Sequence, residues 1–557
     1  MCGIWFFLSK LKNLDHELYA KCMDSFMKTK NRGPDRSHFE VLQEPINSMI
    51  GFHRLSIMDP GVKGDQPFKI INGDHTIFTI CNGEIYNFRE LEEKYNIKAM
   101  SGSDCEVIPH LYQKIGINNL VHELIGEYAF IIFDVNMITG DFNLYAVRDR
   151  FGIRPMFYAE SENHFNFSSE MKSLVDIKEE NITVNVLEPR RIYHIERKDG
   201  VISSISSTSY YEVSVKDNMI EDLDTACNLV KDTLIESVRS KLISDRPLGC
   251  LLSGGLDSSL IASIASKILK ERGQKLRTFS IGMDGSTDEY YAKLVAKHIQ
   301  SDHTHIELDQ QEFIDNLRNV IYNIESFDIT TVRASTGQYL VSKWISKNTD
   351  IKVLLIGDGS DELCAGYLYF HKAPSAIDSH NENIRLISDI HYYDVLRADR
   401  GIAENGIEAR VPFLDHRFVD LYLTIKPELR IPTNNSEKWL LRRSFSKEAN
   451  PENDYLPDEV LWRKKEAFSD GVSSKNKSWY QIIQEYAKDK YSDEDLTNAN
   501  REHLKPVSKE SLYFREIFEE YYGKNVSVSK TIPYFWLPKW MGNILEPSAR
   551  VLSVYKE

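Results

Sequence analysis

The sequence predicts a two-domain α/β protein: an antiparallel sheet with packed helices, then a doubly wound parallel sheet with a helical C-terminal part. Three observations predict it. The 557 residues exceed what one hydrophobic core usually serves. Residues 1 to about 205 carry short alternating apolar segments separated by Gly, Asn and Asp turns. From about residue 220 onward, strand-like apolar runs alternate with amphipathic helix patterns, the rhythm of a parallel sheet.

The first region's clearest strands are Phe78 to Cys81, Ala129 to Phe133 and Asn143 to Val147, where apolar side chains recur at strand spacing. Helical periodicity interrupts them at Asp15 to Lys28 and Glu106 to Tyr112. Ser203 to Ser214, rich in serine, reads as the connection. The expected division is therefore residues 1–205, a linker at 206–218, and a second domain at 219–557. That second domain opens with a helix pattern at Asp222 to Leu242 and the apolar run Leu248 to Leu252. A helix at Leu260 to Leu269, a strand at Arg277 to Gly282, a helix at Asp288 to Ile299 and strands at His303 to Leu308 and Lys352 to Ile356 follow. Residues 380 to 545 read mainly as helix.

Composition narrows the function classes. A net charge of −15 and the lack of a Lys/Arg-rich run disfavour a nucleic-acid partner, which would need a basic face. Seven cysteines without a C-x-x-C pair suggest reduced thiols; Cys22, Cys81, Cys105, Cys227, Cys250 and Cys364 read as packing residues. No stretch has the length and apolarity of a membrane span and no signal-peptide core is present, so a cytoplasmic protein without a membrane partner is expected.

Ser253-Gly254-Gly255-Leu256-Asp257-Ser258-Ser259 lies between an apolar run and a helix pattern. Strand, glycine turn and helix aim free N–H groups and a positive helix end at a phosphate, and the serine hydroxyls add donors. Asp257 would repel that phosphate unless magnesium neutralised it, so the loop points to Mg²⁺–nucleotide chemistry. At the other end, removal of Met1 would give Cys2 a free α-amine, placing a thiol nucleophile and a base near neutral pKa on one residue. Arg54 offers a fork for a carboxylate, Asp104 a partner for an ammonium, and Asn82 with the Gly83 N–H an oxyanion hole on a loop after the Ile77 to Cys81 strand. Together these describe hydrolysis of an amino-acid amide, glutamine being the natural substrate. Each has a plainer reading alone: a surface ion pair for Arg54, a hairpin turn for Asn82-Gly83, a helix cap for Asp104.

Ordered blocks then carry a resemblance along nearly the whole chain. Cys2-Gly3-Ile4, Arg32-Gly33-Pro34-Asp35, Arg54-Leu55-Ser56-Ile57, Asn82 to Asn87, Arg148 to Pro155 and Ser253 to Ser259 resemble the glutamine-hydrolysing asparagine synthetases. Asp328 to Ser335, Gly366 to Pro374, Glu408 to Asp415, Lys465 to Gly471 and Glu546 to Arg550 continue it, and Trp536 to Trp540 is closer to the eukaryotic branch. The resemblance implies an αββα sandwich of the N-terminal-nucleophile type for the first domain. It also implies that glutamine sits against Arg54, Leu55, Ser56, Ile57, Met58, Asn82, Gly83, Glu84 and Asp104. ATP would activate the side-chain carboxylate of aspartate as an acyl-adenylate that ammonia then attacks. By the same resemblance Ser253, Gly254, Gly255, Asp257, Ser258 and Ser259 hold pyrophosphate, and Leu251, Ile281, Ile356 and Gly357 line the nucleoside. Asp257 and Asp361 face Mg²⁺, while Thr330, Thr331 and Arg333 lie on the aspartate side. Arg397 and Lys465 neutralise phosphoryl charge, oriented by Asp394, and a homodimer is implied.

The family's Ser-Gly-Glu-Gly reads Ile356-Gly357-Asp358-Gly359 here, and Asn31 stands where histidine is frequent. The family's glutamate supports adenylate formation or accepts the ammonia proton. Asp358 keeps the charge on a shorter arm, and a displacement of about 1 Å can cost on the order of 10²-fold in rate. The shorter arm therefore bears on the efficiency of asparagine formation and leaves the glutaminase half untouched. Two alternatives stand beside this reading. One is amidation, or lactam closure, of a different carboxylate; the other is a regulatory or binding protein with impaired synthetase turnover.

Overall fold

The computed structural model describes residues 1–11, 16–175, 182–214, 219–465, 471–473, 477–542 and 544. Parts of two motifs named above, residues 466–470 and 546–550, lie outside the described residues, as do 215–218 of the expected linker and Asp15.

Two antiparallel sheets form the first half. One contains β1 (Gly3–Ser9), β2 (Arg36–Leu42), β3 (Ser48–Arg54), β8 (Phe157–Glu160), β9 (His164–Ser168) and β10 (Thr183–Val186), in the order β10-β8-β9-β1-β3-β2. The other contains β4 (Phe68–Asn72), β5 (His75–Ile85), β6 (Gly126–Asn136), β7 (Phe142–Arg148), β11 (Arg191–Lys198), β12 (Val201–Ile202) and β13 (Ser206–Ser209). The period-2 alternation of strand side chains explains why they stack. Ile4, Phe6 and Leu8 meet Phe78, Ile80, Ala129, Ile131 and Phe133 between the sheets. The intervening residues face outward onto helices. Trp5 and Phe7 pack on Cys22 and Phe26 of helix His16–Met27, while Cys81, Phe130 and Ile132 pack on Leu111, Leu120 and Val121 of helix Val107–Glu123. The result is the αββα sandwich that the resemblance implied.

Several boundaries differ from expectation, for physical reasons. Strand β5 does not stop at Cys81 but runs to Ile85, with Asn82 opposite Ala129 and Gly83 opposite Tyr128, so the Asn-Gly pair sits on a strand rather than in a loop. Ser206–Ser209 adds a strand beside β11 instead of starting a linker, as short hydroxylated residues fit a solvated sheet edge. The Glu106 to Tyr112 helix continues to Glu123 across a kink at Gly116, whose φ is 74°.

The second half holds a parallel five-stranded sheet of β14 (Leu248–Leu251), β15 (Arg277–Gly282), β16 (Asp302–Glu307), β17 (Val353–Leu355) and β18 (Glu408–Arg410). The order β16-β15-β14-β17-β18 reverses direction between β14 and β17. Such a switch point opens a crevice beyond the strand ends, where ligands bind in doubly wound sheets. β18 lies in the region read as helical; three residues are too few for a periodicity to register. From Ala376 onward the other regular elements among the described residues are helical.

Candidate functional site

Strand β1 brings the N-terminus against β3 and β5 and presents Cys2, partly exposed, at the end of the sandwich. The Cys2 nitrogen donates to Asn82 Oδ1 at 3.0 Å, and its carbonyl accepts from Arg32 Nε at 3.0 Å. Asn82 is fully buried, and its Nδ2 has no hydrogen-bond partner among the described residues. A buried amide donor left open costs about 1–3 kcal/mol, and this one belongs to the residue that orients the Cys2 nitrogen. Next to it Gly83 has a φ of 151°, and a Cβ there would lie 2.1 Å from the Glu127 carbonyl, so only glycine lets β5 and β6 approach this closely.

Burial pushes the Cys2 thiol up to about 11, although the Met1 ammonium draws it down. Met1 is itself buried; its amine stands 3.8 Å from Glu408, and its sulfur accepts from Arg154 Nη1 at 2.8 Å. Asp104 is buried beside them and accepts from the Ile85 N–H at 2.6 Å, and burial raises its carboxyl to about 6. Glu84 reaches Arg410 of β18 at 3.3 Å, and burial lifts its carboxyl well above the ordinary range. Arg54 is already engaged: Nη1 donates to Gly61 O and Asp65 at 2.6 Å each, and Nη2 donates to Met58 O at 3.1 Å and to Asp59 O at 2.5 Å. An aspartate side chain thus stands on the guanidinium where a substrate carboxylate was expected. Leu55, Ser56, Ile57 and Met58 continue from it as a buried segment, with Leu55 O 3.8 Å from the Cys2 sulfur.

The second site occupies the switch point. A cavity of about 240 Å³ is lined by Leu251, Ser253, Gly255, Asp257 and Ser258 from β14 and the helix after it, Ile281 from β15, and Ile356, Gly357, Asp358 and Asp361 after β17. Thr330, Arg333, Arg397 and Lys465 complete its expected lining. Helix Leu256–Glu271 begins at this loop, so its first N–H groups and positive end face the cavity. Gly254, at φ 74°, stands behind it; a Cβ there would lie 2.5 Å from the backbone of Tyr291 and Ala292. Ser259 is buried away from the opening, and the Thr331 hydroxyl donates at 2.8 Å to Asp328, the N-cap of its helix; neither residue lines the cavity. Asp394 stays behind Arg397 at 2.5 Å as its orienting partner.

Acids and bases alternate here. The buried Lys438 ammonium lies 2.6 Å from both Asp257 and Asp361, and Lys465 is 2.6 Å from the other Asp361 oxygen. Burial opposes ionisation, but these two lysines hold the Asp361 carboxyl well below the usual carboxylate range. Two carboxylates converging on one point beside a phosphate loop match the way Mg²⁺ is held, by one or two acids with substrate phosphates supplying the rest. No group of three metal-ligating side chains occurs among the described residues. Arg397 Nη2 reaches Asp358 at 2.9 Å, and burial raises the Asp358 carboxyl against that pairing. Arg333 is held by Glu510 through Nε at 2.8 Å and Nη2 at 2.5 Å, so it reaches the cavity already partnered by an acid.

Sequence reasoning missed Lys438, Gln338, Arg463 and Tyr367, all of which line this cavity. Lys438 follows Asn434-Asn435-Ser436-Glu437, where no local pattern marks a site; only the tertiary fold makes it a buried bridge.

Similar proteins bear on both halves. Residues 1–212 match the family described as glutamine amidotransferase domain, and residues 229–388 and 378–537 match the family described as asparagine synthase. A Gallus gallus protein named asparagine synthetase (glutamine-hydrolyzing) is 41% identical over 578 residues, covering 100% of this chain and 99% of its own. The Homo sapiens protein of the same name is 40% identical over 576 residues, with the same coverage.

Proposed function

Since the chain belongs to the glutamine-hydrolysing asparagine synthetases and makes asparagine with glutamine as nitrogen donor, we propose a division of the chemistry between its two sites. Residues 1–205, with β13 packed on them, act as the glutaminase, 206–218 connect, and 219–557 act as the synthetase. The observation that carries the reading is the Asn82 amide, which holds the Cys2 nitrogen through Oδ1 and keeps its own buried Nδ2 donor open. Once Met1 is removed, that nitrogen is an α-amine, held by Asn82 Oδ1 where it can take the thiol proton. The sulfur attacks the glutamine amide carbon while Asn82 Nδ2 and the Gly83 N–H receive the developing oxyanion. Glutamine's carboxylate displaces Asp65 from Arg54, and Asp104 and Glu84 receive its ammonium. Ammonia leaves, and water releases glutamate from the sulfur.

At the switch point the nucleoside of ATP lies among Leu251, Ile281, Ile356 and Gly357, and its phosphates lie on Ser253, Gly255 and Ser258, with Gly254 and Ser259 supporting the loop from behind. The aspartate side-chain carboxylate, on the Thr330 and Arg333 side, displaces pyrophosphate to form β-aspartyl-AMP, which ammonia converts to asparagine and AMP. Asp257 and Asp361 would hold Mg²⁺, which when bound neutralises the pyrophosphate as it leaves. Lys465 and Arg397 add positive charge at the same end. The seven free cysteines support a cytoplasmic enzyme, and among the described residues no helix is long and apolar enough to cross a membrane. Family resemblance alone supports a homodimer.

The test uses the processed protein with Mg²⁺–ATP, glutamine, and aspartate labelled with ¹⁸O in its side-chain carboxylate. One labelled oxygen is expected in AMP for each asparagine formed. Glutamine hydrolysis with no aspartate-dependent AMP would overturn the reading.

A further inference from the structure

The helix Ile329–Asn348 turns one face to the synthetase cavity, through Thr330, Arg333, Ala334, Gln338 and Val341. Gln338 is the only one of these five with an amide, and no role has yet been given to it. Its side chain is buried at 6% exposure. Nε2 lies 3.3 Å from both Asp358 oxygens. A primary amide beside a carboxylate must turn its NH₂ toward the acid, which fixes the orientation. Oε1 is then left buried at the cavity without a hydrogen-bond partner among the described residues.

An unpartnered buried acceptor points to a ligand that brings N–H. Phosphate and carboxylate oxygens offer none, which leaves the nucleoside's amine and hydroxyls, the aspartate ammonium and ammonia. Ammonia fits beside the acid that takes its proton: it has three N–H bonds and one lone pair, and acceptors must hold its hydrogens for the lone pair to be aimed. Asp358 and Gln338 place two acceptors side by side, with the Asp358 carboxylate anchored by Arg397.

We propose that Gln338 receives the incoming nitrogen of the synthetase reaction, its Oε1 accepting one ammonia hydrogen while its Nε2 holds Asp358 in place to take the proton that must be lost. The ammonia lone pair forms the C–N bond at the aspartyl carbonyl carbon. One N–H proton passes to an Asp358 oxygen. The bond from that carbon to the phosphate oxygen breaks, its electron pair leaving with AMP. The short arm of Asp358 is thereby matched by a partner that reaches it from the facing helix. This rests on the synthetase half of the function proposed above.

The test is steady-state synthesis with ammonium salts as nitrogen donor, which bypasses the glutaminase. Gln338→Met keeps side-chain length and removes both polar atoms. Its KM for ammonia is expected to rise roughly tenfold, the worth of one buried hydrogen bond. The KM for aspartate should stay within about twofold, and aspartate-dependent pyrophosphate release should persist. An unchanged ammonia KM in a folded Gln338→Met enzyme overturns the proposal. A rise confined to the aspartate KM also overturns it, assigning the amide to the amino-acid substrate. Gln338→Asn, which retains polarity but retracts the amide, should show the same split and serves if the methionine variant does not fold. If the unaltered enzyme releases no pyrophosphate with aspartate, the synthetase reading fails and this proposal with it.

Discussion

Cys2 and Asp104 set the chemistry of the first site at the scale of single residues, and they make separable predictions. Cys2→Ala removes the sulfur placed for attack. Glutamine-dependent synthesis should fall by at least about 10³-fold while ammonia-dependent synthesis stays unchanged; equal loss of both would contradict the division of labour. Asp104 holds an ammonium only when ionised, and burial has raised its carboxyl to about 6. The carboxylate fraction therefore falls as pH drops through that value. Below about pH 6 the KM for glutamine should rise about tenfold per pH unit, with no parallel change in the KM for aspartate. A flat glutamine KM from pH 7 to 5 would remove Asp104 from ammonium binding. At this scale the sequence was most legible where a residue's chemistry is unusual for its setting, such as a cysteine at position 2 or an acid inside a phosphate loop. It was least legible for Lys438, Glu510 and Gln338, whose roles arise from partners 181, 177 and 20 residues away. No local pattern encodes such pairings.

Among the elements, helix Asp394–Ala403 links the two chemistries. Arg397 on one turn reaches Asp358, and Asp399, two positions later, grips Arg32 through two bonds of 2.8 and 3.2 Å. Arg32 in turn donates to the Cys2 carbonyl. Arg32 and Asp399 are both buried, and so is Glu170, which takes the other bond from Arg32 Nη1. Asp399→Asn keeps the shape and one acceptor but removes a charge. Because hydrogen bonds to charged groups contribute about 1.5–3 kcal/mol, the glutaminase kcat/KM should drop roughly tenfold while ammonia-dependent synthesis changes by less than about twofold. Loss of both activities by the same factor would reduce the helix to a structural strut. The sequence foresaw this segment as helical and, by resemblance, gave Asp394 and Arg397 a place at the synthetase site, but it did not foresee the grip of Asp399 on Arg32. Its two-sided role follows from facing both domains, and periodicity reports a buried face without saying what covers it. The same limit explains β5: alternation marked its apolar centre, but pairing with β6 carries the strand through the polar Asn82 to Glu84.

On the scale of the whole molecule, Met1 stands where the two halves meet. Its side chain is 1% exposed, and it packs with the core of the synthetase half although it begins the glutaminase half. Arg32 from the turn before β2, Arg154 from the segment after β7 and Glu408 of β18 surround it. Retaining Met1 therefore does two things: it caps the nitrogen that should serve as base, and it fills the buried space beside Cys2 on the side of the synthetase. Enzyme produced with methionine removal inhibited should lack glutamine-dependent synthesis and keep full ammonia-dependent synthesis. Treatment with an aminopeptidase that removes only Met1 should restore the former in proportion to the fraction of chains processed, read by intact mass. Because Met1 is sealed inside the folded molecule, that treatment should succeed on nascent or partly unfolded chains and fail on the native protein. Ready trimming of the native enzyme would show that the interface around Glu408 opens in solution, and the burial of Met1 would then carry no consequence for when the glutaminase is switched on.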